Sequence, residues 1–420
     1  GHSETEDQAV VGGPATRARG WLPLAMLLVI AMLYGVADAQ DGEVVLGDSD
    51  KYAWIYAVGH NGAVLRSENA GETWRVHTDP EVTSAHLEDV FFFDARSGYI
   101  VGQDSSIIIT HNAGFNWDTV ELSDGESEGP KVNLTGIHLQ RFPGPAVLVG
   151  QNGLFAKSED GESWEIFSIW CLGDDCIVHP FSDDAGPGDG HVRVGHLNAV
   201  RFKDSSNGVI VGDNGMVLLT QDGADEEPTF SRVHVFADSE APWPNMTNVD
   251  MDSLGHMLIV GDRGVVFKVR HQSNPDNDKL AFNFIGCNLE GCNAAIPALV
   301  SKGAGGCSIT DEHLSAANII VQGTSSEATD VIVVGGTRGF VGRLDESKGV
   351  PWLTPAVAVA HPLEKVTSLY VSTPYTDVLV TDRGNIFRTS DGGITYTRIA
   401  VPEGYSFRKV TGRNADDESG

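Results

Sequence analysis

The sequence predicts an all-β fold, a seven-bladed β-propeller of four-stranded antiparallel blades behind an N-terminal targeting segment. Three observations predict it. A Val-Gly-x-x-Gly turn recurs seven times in 420 residues, an apolar run recurs before that turn, and a Ser/Thr-x-Asp/Asn-x-Gly-x-Thr/Ser-Trp segment recurs after it. A unit that cannot bury its apolar face alone stacks on copies of itself. The 49 glycines fit many tight turns between short strands.

The turn appears as Val58-Gly59-His60-Asn61-Gly62, then as Val101-Gly102-Gln103-Asp104-Ser105, with Ser at the second glycine. It returns as Val149-Gly150-Gln151-Asn152-Gly153, Val211-Gly212-Asp213-Asn214-Gly215 and Val260-Gly261-Asp262-Arg263-Gly264. A longer version follows, Val334-Gly335-Gly336-Thr337-Arg338-Gly339, and then Val380-Thr381-Asp382-Arg383-Gly384, with Thr at the first glycine. The first-glycine position therefore falls at 59, 102, 150, 212, 261, 335 and 381, spaced by 43, 48, 62, 49, 74 and 46 residues. The short intervals match one four-stranded blade, and the long ones imply insertions. A β-branched run, a small residue, two polar residues and Gly spell a hairpin whose turn needs positive φ.

The apolar run before the turn is the innermost strand of each blade. Leu87-Glu88-Asp89-Val90-Phe91-Phe92 and Leu197-Asn198-Ala199-Val200-Arg201-Phe202 are near copies, 110 residues apart. Leu134 to Leu139, Met246 to Met251 and Val366 to Val371 are weaker ones.

The third segment is complete at Ser67, Asn69, Gly71 and Trp74, and again at Thr389, Asp391, Gly393 and Tyr396, with Tyr for Trp. Thr110, Asn112, Gly114 and Trp117 fit nearly, with Asn116 before the Trp. Ser158, Gly161 and Trp164 lose the register of the acid, and Gly349 and Trp352 keep only their spacing. Thr220-Gln221-Asp222 begins the segment and breaks off. The segment resembles the Asp-box, or bacterial neuraminidase repeat. That resemblance implies the hairpin between third and fourth strands, an acid capping turn N–H groups, and an aromatic packed between blades. Its role is structural.

The combined pattern resembles the photosystem II stability and assembly factor family over roughly residues 45–412. The resemblance implies a non-catalytic lumenal propeller that holds a membrane-protein client, without a cofactor. The rival readings are an extracellular or periplasmic interaction propeller unrelated to photosynthesis, and a glycoside hydrolase of sialidase or glucanase type. A sialidase usually opens on a Phe/Tyr-Arg-Ile-Pro segment, which this chain lacks, and no nucleophile elbow, P-loop or His-Glu-x-x-His is present. No catalytic residue is assigned. The chain has 58 acidic and 28 basic residues, a net charge of −30, which repels phosphate backbones and excludes wholesale nucleic-acid binding.

Residues 1–40 read as the targeting segment, and residues 41–420 as the propeller. Trp21 to Val36 is one apolar run, with Arg17 and Arg19 before it and Ala37-Asp38-Ala39 after it. That order marks a secretory-type signal peptide cut before Gln40, the alternative being an uncleaved signal anchor that keeps membrane contact. The two arginines are not adjacent, so no twin-arginine signal is expected. The destination is the thylakoid lumen, the periplasm or the exterior. In such a compartment Cys171 with Cys176, and Cys287 with Cys292, suit two short loop disulfides, leaving Cys307 over. Zinc is the rival use, but the spacing is not Cys-x2-Cys, and no metal site is expected.

Function is expected where the repeat departs from itself. The Val-Gly-x-x-Gly turns share one face with the blade connections, and the long insertions 168–195, 224–244 and 271–316 are read as such connections. The residue before the second glycine is Asn61, Asp104, Asn152 and Asn214 in four turns, but Arg263, Arg338 and Arg383 in the other three. Arginines there form a basic arc suited to carboxylate-rich or peptide partners, and the resemblance implies a patch that contacts the client. The alternative is that each pairs with its preceding acid, Asp262 or Asp382. Trp170 and Trp243, in insertions, are further contact candidates. Asp174, Asp175, Asp183, Asp184 and Asp189 cluster in the first insertion without an EF-hand spacing, so a solvated acidic loop is expected rather than calcium.

Overall fold

The computed structural model describes residues 54–413, apart from 124–128, 141–143, 183–185, 235–242, 253, 273–278, 285–311, 323–328, 346–353 and 356–363. The targeting segment, Cys287, Cys292, Cys307, Gly349 and Trp352 lie outside the described residues. What is described is an all-β propeller. Its strands pair antiparallel, and among the described residues there is no α-helix, only short 3-10 turns.

The first sheet runs Arg75–Val76, Val64–Ser67, Trp54–Gly59, Phe407–Arg413. Its innermost strand is the last of the described strands, paired through Ile55↔Gly412 and Ala57↔Val410, so the first and last described strands lie side by side in one sheet. The second sheet holds Leu87–Phe92, Gly98–Gly102, Ile107–Thr110 and Asp118–Val120 in sequence order. The fourth sheet holds Met246–Met251, Met257–Gly261, Val265–Gln272 and Lys279–Phe284. The fifth holds Leu314–Gln322, Thr329–Gly336, Val341–Asp345 and Thr354–Pro355. The sixth holds Val366–Thr373, Thr376–Thr381, Ile386–Thr389 and Thr397–Ile399.

The repeat predicts seven separate sheets. Instead there are five separate four-stranded sheets and one, the third, of ten strands. In the third, the run Leu134–Leu139, Ala146–Gly150, Leu154–Ser158, Glu165–Leu172 is joined to the run Thr229–Arg232, Met216–Thr220, Gly208–Gly212, Leu197–Phe202. The link is Asp175–Pro180, a strand of the first insertion, which pairs with Glu165–Leu172 on one side and Thr229–Arg232 on the other. An insertion with spare backbone donors and acceptors has paired two outer edges that would otherwise face water.

Two of the predicted insertions also need redrawing. Thr229–Arg232 is a strand of the sheet, so residues 224–228 widen a hairpin rather than bridge two sheets. Val265–Gln272 and Lys279–Phe284 likewise take the start of the span 271–316 into the fourth sheet. The longer sixth turn is of ordinary length too, because the turn is Thr337–Gly339 and Gly336, not Gly335, is its entry glycine.

The innermost strands contact one another in a closed series: Leu87–Phe92, Leu134–Leu139, Leu197–Phe202, Met246–Met251, Leu314–Gln322, Val366–Thr373 and Phe407–Arg413, which returns to the first. A girdle of side-chain hydrogen bonds ties that series. Thr135 donates to the Leu197 carbonyl (2.5 Å), Asn198 to Met246 (2.9 Å), Thr247 to Leu314 (2.6 Å), Ser315 to Val366 (2.7 Å) and Thr367 to Phe407 (3.0 Å). At the closing step the corresponding residues are charged instead, Arg408 and Glu88, 3.6 Å apart.

Apolar clusters fill the seams. One joins Tyr56 and Val58 of the first sheet to Phe92, Ile100 and Trp117 of the second. Another joins Val378 and Val380 of the sixth to Ile55, Leu65 and Trp74 of the first. Trp164 and Tyr99 share the cluster between second and third sheets. Each β-branched, fully buried face is the apolar run that marked the strand in the sequence.

Candidate partner-binding face

The Val-Gly-x-x-Gly turns and the links into the innermost strands are knitted together at one end of the strands. The residue after the entry glycine donates its N–H to the carbonyl just before the innermost strand of its own sheet: His60 to Ser406 (2.9 Å), Gln103 to His86 (2.8 Å) and so on to Asp382 with Lys365 (3.1 Å). The second glycine reaches to the next link, Gly62 to Ala85 and Gly153 to Gly195, both at 2.7 Å. At Gly59 crowding requires the glycine: a Cβ there would lie 2.0 Å from the Ser406 carbonyl oxygen.

The residue between them is left-handed, with φ of 57° at Asn61, 58° at Asn152 and 54° at Asn214. Its N–H is taken by a side chain of the next link. Asn61 donates to His86 Nδ1 (3.1 Å), Asn152 to His196 Nδ1 (3.4 Å) and Asn214 to Asn245 Oδ1 (3.0 Å). His86 and His196 accept at Nδ1, so in the neutral ring the proton sits on Nε2. Asn133-Leu134-Thr135 and Asn245-Met246-Thr247, which match the Asn-x-Thr glycosylation pattern, lend their hydroxyls to the girdle, and Asn245 also holds Asn214.

Arg263, Arg338 and Arg383 are all exposed on these turns. Arg263 and Arg338 take the left-handed conformation, at φ 59° and 54°, whereas in the third turn it is Gly384 that has positive φ, 75°. Their preceding acids are committed elsewhere: Asp262 lies 3.0 Å from His313 Nδ1, and Asp382 accepts the Lys365 N–H at 2.9 Å. Among the described residues neither Arg263 nor Arg383 is joined to its preceding acid by an ion pair, and Arg338 pairs with Glu312 at 3.1 Å. Arg408 and Lys365 add positive charge nearby. Arg408 donates to His60 Nε2 (2.9 Å). Burial, reinforced by Arg408 and opposed by Asp262 and Asp382, holds the Lys365 amine below its ordinary range. Burial raises the Glu88 carboxyl despite Arg408. These rim residues escaped the sequence reading because they sit just before or at the start of each apolar run, positions the repeat does not mark.

Trp170 is half-buried in the first insertion, where its Nε1 donates to Ser168 Oγ (2.8 Å) and the Arg193 guanidinium lies 5.8 Å from its ring centre. Trp243 is edge-on to His234 and lies under Arg232, with His234 Nε2 2.6 Å from Asp174 of the insertion. Cys171 and Cys176 are register partners in that hairpin and form a disulfide. Asp183 and Asp184 lie outside the described residues, and no three described donors of this loop converge.

On the opposite end of the strands, the third segments hold their turns by side-chain capping. Asn69 Oδ1 accepts the Thr73 N–H, Asn112 Oδ1 the Asn116 N–H and Asp391 Oδ1 the Thr395 N–H, each at 2.9 Å. Gly71, Gly114 and Gly393 donate to Ser67, Thr110 and Thr389. The register lost at Ser158 is made good by Asp160, which caps Glu162 and Ser163. Asp222 caps Thr229 across the widened hairpin.

No family model matches the chain. A stretch of 87 residues is 29% identical to the photosystem II assembly lipoprotein Ycf48 of Synechocystis sp. (strain ATCC 27184 / PCC 6803 / Kazusa). It covers 18% of this chain and 25% of that protein, so the match spans about a quarter of the curated relative. Among solved structures, apo AztD from Citrobacter koseri superposes with a TM-score of 0.50 at 12% identity, covering 86% of this chain and 99% of that one. Ycf48 from Cyanidioschyzon merolae gives 0.49 at 15% identity, over 76% and 87%. Ycf48 bound to D1 peptide gives 0.48 at 14%, over 80% and 94%. At these identities the likeness is one of fold.

Proposed function

We propose that this chain is an exported, non-catalytic, seven-bladed propeller that binds a protein client on the face bearing Arg263, Arg338 and Arg383. The count of seven is supported by the closed series of innermost strands, with the ten-stranded sheet read as two blades joined through Asp175–Pro180. The third segments are read as Asp-boxes that build the opposite face.

The observation that carries the binding reading is the conformation of the arginines. A left-handed non-glycine residue costs on the order of 1–3 kcal/mol and is disfavoured for a long side chain, so such outliers gather where function holds them. Four turns use Asn or Asp there; Arg263 and Arg338 accept the strain and remain exposed. On a chain of net charge −30 they offer a local basic patch with bidentate donors for carboxylates. The short similarity to a photosystem II assembly lipoprotein supplies the client class, a photosystem subunit during assembly. Trp170 and Trp243 are proposed as flanking contacts.

The test is capture from solubilised photosynthetic membranes by the immobilised chain. Photosystem subunits are the expected catch, lost when Arg263, Arg338 and Arg383 are exchanged together for Glu. Capture unchanged by that exchange removes the arginines from the reading. Absence of photosystem subunits removes the client and leaves an extracellular or periplasmic interaction propeller.

A further inference from the structure

Between the fourth and fifth sheets, Lys268 on Val265–Gln272 meets Asp330 on Thr329–Gly336 as a buried ion pair. The next seam repeats that device with Arg343 and Asp377. At the first of these seams two more groups converge. Asp252 and His256 flank the turn between Met246–Met251 and Met257–Gly261. Asp252 Oδ1 accepts the N–H groups of Leu254 and His256, both at 2.8 Å. Its other oxygen, Oδ2, lies 2.9 Å from His256 Nδ1, and that nitrogen lies 3.6 Å from Asp330 Oδ1. The Asp252 side chain is 0% exposed and Asp330 1%, while His256 reaches solvent at 22%. Asp252 Oδ2 and His256 Nδ1 are both shut off from water and face each other as polar neighbours. A buried carboxylate and imidazole at this distance need a positive centre, a proton or a metal cation, between them.

The three donor atoms all lie within 4.8 Å of one another. A tetrahedral zinc ion with bonds of about 2.0–2.1 Å sets its donors about 3.3–3.4 Å apart, which the two measured separations bracket. One imidazole and two carboxylates are a zinc donor set, whereas calcium asks for six to eight oxygens. Lys268 holds Asp330 from its Oδ2 side while Oδ1 faces His256, the placement an outer partner takes behind a ligating carboxylate. We infer a zinc-class divalent-metal site formed by Asp252, His256 and Asp330, with a fourth position open through His256. Bound metal would staple the turn of one sheet to the second strand of the next, at the end of the strands away from the arginines. Asp252 and His256 show only a common spacing, and Asp330 is 74 residues beyond His256, so the sequence does not display the site.

The experiment uses the full chain, stripped with a chelator and titrated with Co²⁺ as a spectroscopic substitute for Zn²⁺. One equivalent should give the intense visible absorption of tetrahedral Co²⁺, which Zn²⁺ then abolishes. His256→Gln should remove that absorption and weaken Zn²⁺ binding at least about tenfold, as loss of even an outer partner does. Asp252→Asn should do the same. Absence of the tetrahedral spectrum in the native chain overturns the site. So does a spectrum that survives His256→Gln, which would place the metal on surface carboxylates. Should either variant misfold, protection of His256 from carbethoxylation by Zn²⁺ in the native chain decides: protected supports the site, unprotected overturns it.

Discussion

Arg343 and Asp377 face each other across the seam between the fifth and sixth sheets, Nη1 to Oδ2 2.6 Å, with side chains 8% and 0% exposed. The Tyr396 hydroxyl donates to the same carboxylate oxygen at 3.0 Å. Burial raises the Asp377 carboxyl, opposed by Arg343 and by the Tyr396 hydroxyl. Removing one partner strands the other. Asp377→Ala should cost about 3–5 kcal/mol in urea unfolding, while the double change Arg343→Met, Asp377→Leu should recover most of it. Equal losses in single and double variants would show that the pair contributes through shape rather than charge.

Gly59 and Gly195 are predicted to part company. A Cβ at Gly59 would sit 2.0 Å from a backbone oxygen that cannot move aside, whereas at Gly195 it meets nothing within 4 Å. Gly59→Ala should destabilise by about 1–3 kcal/mol or more as an overpacking change. Gly195→Ala should stay within about 0.5 kcal/mol. Thermal unfolding of the two variants beside the parent chain reads the difference.

Those glycines also show how much of the fold was legible. Gly59, Gly102 and Gly150 mark a close backbone approach made with glycine in six of the seven turns, Thr381 being the exception, so they recur at a readable interval. The joining of two runs into one ten-stranded sheet was not legible, because Asp175–Pro180 lies in an insertion with no sister copy. The candidate face was half legible. Arg263, Arg338 and Arg383 stand out against Asn at the same place in other turns. His86, Lys365 and Arg408 do not, since what gathers them is the ring of innermost strands and not any neighbour in sequence. The seam pair Lys268 and Asp330 is 62 residues apart, and charges that distant pair only once the sheets are stacked.

His138 should make stability pH-dependent. Its ring lies edge-on to Phe91 and parallel to Phe202, with centres 4.7 Å and 6.4 Å away. Nδ1 is buried without a hydrogen-bond partner. Burial, helped by Arg201 and opposed by the Phe202 backbone, lowers its pKa to about 3. The unfolded chain, with a His pKa of about 6.5, binds the proton first. The contribution of neutral His138 is therefore complete above about 6.5 and is lost progressively as pH falls from there toward 3, by up to about 1.4 kcal/mol per pH unit. His138→Gln should flatten the difference between urea midpoints measured at pH 7.5 and pH 5. An unchanged difference would put the proton uptake on other histidines, of which His60, also lowered by burial, is the first to examine.

The hairpin of the first insertion should depend on its disulfide. Cys171 and Cys176 close a loop of six residues around an exposed tip, and Cys176 pairs onward with Phe230. Loop closure that short is worth about 2 kcal/mol in the chain-entropy account. Replacing both by Ser should lower stability by that amount and quicken proteolysis at Gly173. If only the proteolysis changes, the hairpin opens as a local unit while the rest stays closed.

The arginine turns allow stability and binding to be set against each other. Asn61, Asn152 and Asn214 occupy the conformation that Arg263 and Arg338 occupy, with φ between 54° and 59° throughout. Asn tolerates that conformation far better than a long side chain does. Arg263→Asn and Arg338→Asn should therefore each stabilise the chain, by about 0.5–1 kcal/mol, a typical gain when local strain is relieved. The same exchanges should weaken capture of the client, with the double variant weaker than either single one. A gain in stability with undiminished capture would mean that the strained arginines serve neither folding nor this partner. A loss of stability would mean that Arg338 earns its place through Glu312, 3.1 Å away, and the conformational argument for the face would fall at that turn.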